Sequence, residues 1–306
     1  MKSTAIEQGR TRSRFLDYVE LMKPELTGLS ALTTLCGYYL ASSNGAFDIA
    51  RFLHVALGTI LVGGGAGALN QFIERDYDAL MKRTERRPLP SGRLRPAEAL
   101  LFGITIALAG IAELFVFANP LTGFLAALTF ATYIFLYTPM KRISSVSTLI
   151  GGIPGAIPPM MGWAAVRNEV SIEAWILFAI LFCWQMPHFF SLAWMYRKDY
   201  ARAGFRILTV SDEHGWKTSA HILFYCLALI PASLAPTFVG LTGAASLVGA
   251  GILGAGFLAF SIILMRRTHQ TTADAAARVN ASSRHLFFAS LLYLPALMLL
   301  MSLDKI

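Results

Sequence analysis

Apolar residues in this chain gather into nine stretches separated by short polar connectors. They fall at roughly 25–42, 52–73, 97–118, 121–138, 146–166, 172–196, 219–238, 241–265 and 286–302. A helix needs about 20 apolar residues to cross the ~30 Å hydrocarbon core of a bilayer, and these stretches have that length. The pattern predicts an all-α polytopic membrane protein with nine transmembrane helices; a ring of them enclosing a central cavity is the arrangement that would bring distant polar segments of one face together. The connectors reach only about 25 residues, too few for a separate soluble domain. The expected organisation is a tail over 1–24 and one intramembrane domain over 25–302. The tail has no apolar signal-peptide core and reads as cytoplasmic.

Charge orients the spans. With the N-terminus inside, the inner segments hold 23 of the 26 Lys and Arg, and the outer ones only Arg51, Arg167 and Lys305. That bias is the positive-inside rule, which also accounts for the net charge of +8 without nucleic acid. Composition agrees: 55% hydrophobic, 14% charged, mean hydropathy +0.56. Cys36, Cys183 and Cys226 are scattered through apolar stretches and read as packing residues rather than redox or metal groups.

The second span runs into NQFIERDYDALMKRTERRPLPSGRLR (70–95). If its helix continues to residue 78, Asn70, Glu74 and Asp78 lie at i, i+4 and i+8 on one face, with Asp76 pointing away. Acids at the end of a membrane helix are costly and usually functional. Their oxygens suit Mg²⁺, which shares its shell with substrate phosphates. Lys82, Arg83, Arg86, Arg87 and Arg93 follow, and guanidinium groups grip phosphate in paired hydrogen bonds. A diphosphate bound through Mg²⁺ is one reading; a helix end emerging into water beside anionic lipid is the other.

Three further stretches end or begin on the same side. Span six leads into Tyr196, Arg197, Lys198, Asp199 and Arg202, with Tyr196, Asp199 and Arg202 near one face if the helix continues. Tyr137, Lys141 and Arg142 lie between spans four and five, as diphosphate ligands or as topogenic charges. Span five, SSVSTLIGGIPGAIPPMMGW, carries glycines and prolines that argue against an undisturbed helix. A broken helix there makes room for a bulky ligand or for close helix packing.

Taken together, KPELTGL, NQFIERDYDALMKRTERRPLPSG, YTPMKRISSVSTLIGGIPGAIPPMMGW, WQMPHFFSLAW and KDYARAG resemble the UbiA-type intramembrane prenyltransferase superfamily over about residues 20–300. Glu74 stands where the general N-x-x-x-D-x-x-x-D motif has its middle aspartate, and Ala203 where the second cluster has another. Both departures resemble the haem-prenylating branch. The resemblance implies farnesyl transfer from farnesyl diphosphate to a vinyl group of haem b, giving haem O. It implies Mg²⁺ on Asn70, Glu74, Asp78 and Asp199. Lys82, Arg83, Arg87, Lys141, Arg142 and Lys198 would take the diphosphate, and Tyr137 and Tyr196 would face the allylic cation. The setting is a bacterial inner membrane with the site facing the cytoplasm, and a haem A synthase or oxidase-assembly partner downstream. Alternatives are another ring acceptor, or a haem carrier or transporter without catalysis.

Haem directs attention to histidine. His188 follows Pro187 inside span six and is the candidate haem ligand; the bland alternative is a hydrogen bond to backbone freed by that proline. His54 is a weaker candidate, and His214, His221, His269 and His285 lie in or near connectors. Glu113, in the outer half of span three, has no partner that sequence reveals.

Overall fold

In the computed structural model, which describes residues 13–43, 47–269 and 275–306, regular structure is helical apart from an isolated bridge between Thr242 and Lys305. Residues 1–12 of the expected tail and 270–274 of the last inner connector lie outside the described residues. The helices are α1 (Arg14–Leu21), α2 (Pro24–Ala41), α3 (Ile49–Asp78), α4 (Pro96–Phe117) and α5 (Pro120–Ala131). A π-helical stretch, Thr132–Tyr137, joins α5 to α6 (Thr138–Met140). Then come α7 (Ser147–Arg167), α8 (Ile172–Met195), α9 (Arg197–Arg202), α10 (Leu208–Ser211), α11 (Trp216–Phe238), α12 (Ala244–Thr268) and α13 (Ala275–Leu303).

Among the described residues, 8 helices are long and apolar enough to cross a membrane, counting Pro120–Met140 as one. The first predicted span is α2, with 18 residues. Its apolar content is diluted by Thr27, Ser30 and Thr33, which line a cavity. Local chemistry explains the ends. Pro occupies the first helical position of α2, α4 and α5, where its missing N–H costs nothing. Asp48 and Asn119 cap α3 and α5 by accepting from the backbone N–H of Arg51 and Thr122 at 2.9 and 2.8 Å.

Sequence neighbours pack side by side from α2 through α5, then α7, α8, α11, α12 and α13. α13 returns to α8 and touches α2, which completes the circuit. Small residues let α2 and α7 cross closely: a Cβ on Gly37 would sit 2.1 Å from the Pro159 carbonyl oxygen, and one on Gly162 1.8 Å from that of Thr34. This crossing lies in the half of the bundle away from Asp78. The bundle encloses a cavity of about 240 Å³ whose walls come from α2, α3, α5 and its π-helical extension, α7, α8 and, through Leu294, α13.

Two elements differ from expectation. α7 is one unbroken helix although Pro154, Pro158 and Pro159 lie inside it. Neighbouring helices hold it on several sides, and membrane helices tolerate proline when packing supports the freed backbone. Its small residues serve both purposes left open above: Gly162 admits α2, while Gly151, Pro154, Gly155 and Pro158 line the cavity. α13 begins at Ala275, about three turns before the predicted apolar span. Those turns are polar and stand beyond the apolar stretch; Asn280 accepts from Trp194 Nε1 at 3.0 Å. Glu113 is also explained. It lies 2.7 Å from His54 Nδ1 across α3 and α4, and His54 stacks on Phe117 with centroids 4.2 Å apart. The pair satisfies both residues.

Candidate functional site

α3 continues to Asp78, so its last two turns carry Asn70, Glu74 and Asp78 on one inward face, 1%, 6% and 0% exposed. The Asp76 side chain is 75% exposed on the other side. Each inward oxygen group meets a cation. Lys23 Nζ donates to Asn70 Oδ1, Lys141 Nζ to Glu74 Oε1 at 2.8 Å, and an Arg87 guanidinium nitrogen to Asp78 Oδ2 at 2.7 Å. Asn70 also donates to Thr138 Oγ1 at 3.2 Å. Pairs this buried are held by geometry: losing one partner strands a charge, at a cost of about 3–5 kcal/mol.

The site is assembled from distant segments. The chain after α8 turns at Tyr196 rather than continuing as one helix, and α9 begins at Arg197. The turn lets Ala203 and Phe205 pack on Met81, with Tyr77 and Tyr200 around them. Arg202 donates to Asp199 Oδ1 at 2.7 Å and to the Leu80 carbonyl at 3.4 Å. The Arg206 N–H donates to the Lys141 carbonyl at 2.9 Å. The loops after α3, α6 and α8 therefore form one surface. Arg93 ties α1 to it, donating to Asp17 at 2.8 Å and to Glu20 at 2.9 Å.

The predicted residues divide into groups. Arg87 and Lys141 join the buried acids. Arg83 lies over the Tyr196 ring at 5.2 Å and donates to the Tyr200 hydroxyl at 3.4 Å. Arg142 lies over Tyr77 at 4.2 Å, at the edge of the cluster. Lys82 and Lys198 are exposed. Asp199 is engaged with Arg202, on the segment whose Ala203 and Phe205 pack against Met81. Tyr137 lines the cavity, whereas Tyr196 supports Arg83 outside it.

Sequence reasoning missed Lys23 and Tyr133. Lys23 lies in the quoted KPELTGL stretch, adopts φ 51° and lines the cavity. A non-glycine residue held there is strained, which is tolerated where the surroundings over-determine it. Burial pushes its ammonium down to about 7, with repulsion from Arg87 and Lys141 adding to the effect. Burial opposes the Lys141 charge too, but Glu74, Tyr137 and Tyr133 hold its pKa above the ordinary lysine value. Tyr133 stands four residues before Tyr137, with ring centroids 5.4 Å apart, and the Lys141 ammonium lies 4.5 Å from the Tyr137 ring. The helical spacing 133, 137, 141 was the available signal.

A divalent cation fits these donors. Among the described residues Asp78 Oδ1 is buried without a partner, a hard oxygen whose isolation is otherwise costly. Among the described residues no three His, Cys, Asp or Glu side chains converge as a ready cage. Such a set suits a metal that shares its shell with a ligand's phosphates better than an all-protein site.

Comparison with known proteins agrees with this architecture. Residues 30–300 match the UbiA prenyltransferase family. The chain is 44% identical over 297 residues to a protoheme IX farnesyltransferase of Solibacter usitatus, covering 94% of this chain and 98% of that protein. A solved digeranylgeranylglyceryl phosphate synthase aligns with TM-score 0.73 and 19% identity, covering 94% of this chain and 98% of that one. A UbiA homologue from Archaeoglobus fulgidus, bound to DMAPP and Mg²⁺, aligns with TM-score 0.66 and 14% identity, covering 91% and 99%. Apolar helices throughout, a buried acidic face at one end and near-complete matches in sequence lead to one conclusion: this chain is an integral, multi-pass membrane protein and belongs to the UbiA prenyltransferase family.

Proposed function

We propose that the chain transfers a farnesyl group from farnesyl diphosphate to a vinyl group of haem b, forming haem O. One observation carries the reading. The acid–cation cluster adjoins, through Lys23 and Tyr137, an apolar cavity that has His188 on another wall. The Solibacter relative's name supports haem b and farnesyl diphosphate as substrates.

Arg87, Lys141 and Lys23 bind the diphosphate and hold its growing charge as the farnesyl C1–O bond breaks, with the electron pair leaving on oxygen. Arg83 adds charge from the rim. Asn70, Glu74, Asp78 and Asp199 would hold Mg²⁺, an ion that the A. fulgidus homologue binds together with DMAPP. When bound, it supplies Lewis-acid neutralisation of the leaving diphosphate. Tyr133 and Tyr137 present aromatic faces to the allylic cation, worth about 0.5–2 kcal/mol each. The apolar walls keep water from that cation until the vinyl π electrons form the new C–C bond. The positive charge then left on the neighbouring carbon takes up water, which loses a proton to give the hydroxyethylfarnesyl side chain.

The proposed setting is a bacterial inner membrane, with nine spans, the N-terminus and site in the cytoplasm, and a haem A synthase or oxidase-assembly partner receiving the product. Mass spectrometry of haems extracted after expression tests the reaction. Wild type should add farnesyl plus water to haem b, and Asp78→Ala should not. Label crossing liposomes without diphosphate release would overturn catalysis in favour of transport.

A further inference from the structure

His188 is held in a way the diphosphate chemistry does not require. Its ring stacks between Trp184 and Phe287, with centroids at 5.1 and 4.8 Å. Its Nδ1 lies 2.8 Å from Ser290 Oγ on α13, not on backbone freed by Pro187. The Ser290 hydroxyl has one proton and donates it to the Phe287 carbonyl at 2.5 Å. Toward His188 it is then an acceptor, so the imidazole carries its proton on Nδ1. Nε2 is left with a free lone pair, on a residue that lines the cavity. The Ser290 carbonyl also accepts from Trp184 Nε1 at 2.8 Å, so one residue fixes both the ring and its stacking partner.

We infer that Ser290 is a positioning residue that locks the His188 tautomer and aims Nε2 at the iron of a haem entering the cavity. The inference rests on the haem-prenylating reading above. Imidazole ligands are ordinarily oriented through their second nitrogen, and losing such a partner costs about 10–100-fold in affinity or activity. Axial ligation would fix where the porphyrin lies and so which vinyl group reaches the farnesyl cation.

The test titrates ferric haem b into detergent-solubilised wild type, His188→Ala, Ser290→Ala and Ser290→Thr, reading the Soret band and the ligand-field signals in electron paramagnetic resonance. Wild type should show a histidine-ligated haem, and His188→Ala should lose that signature. Ser290→Ala should bind haem about tenfold more weakly, raising KM for haem more than it lowers kcat. Ser290→Thr should recover both. A wild-type spectrum from His188→Ala, or unchanged affinity in Ser290→Ala, overturns the inference while leaving prenyl transfer intact. A wild type that neither binds haem nor makes a heavier haem overturns the underlying reading as well.

Discussion

Asp78→Asn separates the site's chemistry from its architecture. Asparagine keeps the size of the side chain and one carbonyl oxygen but removes the charge. Asp78 is fully buried, its Oδ2 bound by Arg87 at 2.7 Å and its Oδ1 without a partner among the described residues. Its side chain is 1% exposed and that of Arg87 20%, so an abandoned arginine reaches water more readily than an abandoned aspartate. Removing the arginine with Arg87→Met strands a buried carboxylate, which costs about 3–5 kcal/mol. Asp78→Asn should cost less, and Asp78→Asn/Arg87→Met should melt higher than Arg87→Met alone. Turnover should not follow melting. Losing one preorganised electrostatic group costs about 10²–10³ in kcat, or about 2.7–4 kcal/mol. All three variants should fall at least that far. The assay pairs thermal unfolding in detergent with diphosphate release from farnesyl diphosphate and haem b. Asp78→Asn with near wild-type turnover, or activity losses that rank with melting temperature, would refute the reasoning.

Lys141→Met should destabilise the protein by stranding Glu74; adding Glu74→Gln should restore melting but not turnover, both read in the same paired assay. Tyr133→Leu and Tyr137→Leu should each slow single-turnover farnesyl transfer about 2–30-fold, while the phenylalanine variants keep most of the rate. Gly162→Ala should lower stability by about 1–3 kcal/mol, since its Cβ would meet the Thr34 carbonyl. Gly28→Ala, with nothing among the described residues within 4 Å of its Cβ, should leave thermal unfolding unchanged or slightly raised. Chelation by EDTA should stop diphosphate release and added Mg²⁺ should restore it; release that persists in chelator would remove the metal from the reaction.

Much of this was legible in one dimension. Hydropathy marks a helix wherever its surroundings are lipid, so α4 and α8 appear close to their true bounds, whereas α3 runs five residues past its apolar stretch. The i, i+4, i+8 spacing put Asn70, Glu74 and Asp78 on one face once α3 was extended past its apolar run. The polar first turns of α13 looked like a connector because helical hydrogen bonding leaves no hydropathy signal. The prolines of α7 looked like a break because the helices supporting them are far away in sequence.

Local spacing determined the class of fold and the face that carries the acids, since both depend on residues within two or three helical turns of one another. Only the tertiary structure decided the partners: Lys23 with Asn70, Lys141 with Glu74, and Ser290 with His188 are separated by 47, 67 and 102 positions. It also divided the basic residues, drawing Arg87 and Lys141 inward and leaving Lys82 and Lys198 exposed. No periodicity reaches across such distances. Those choices follow from how closely helices approach, which small residues such as Gly162 permit and packing alone resolves.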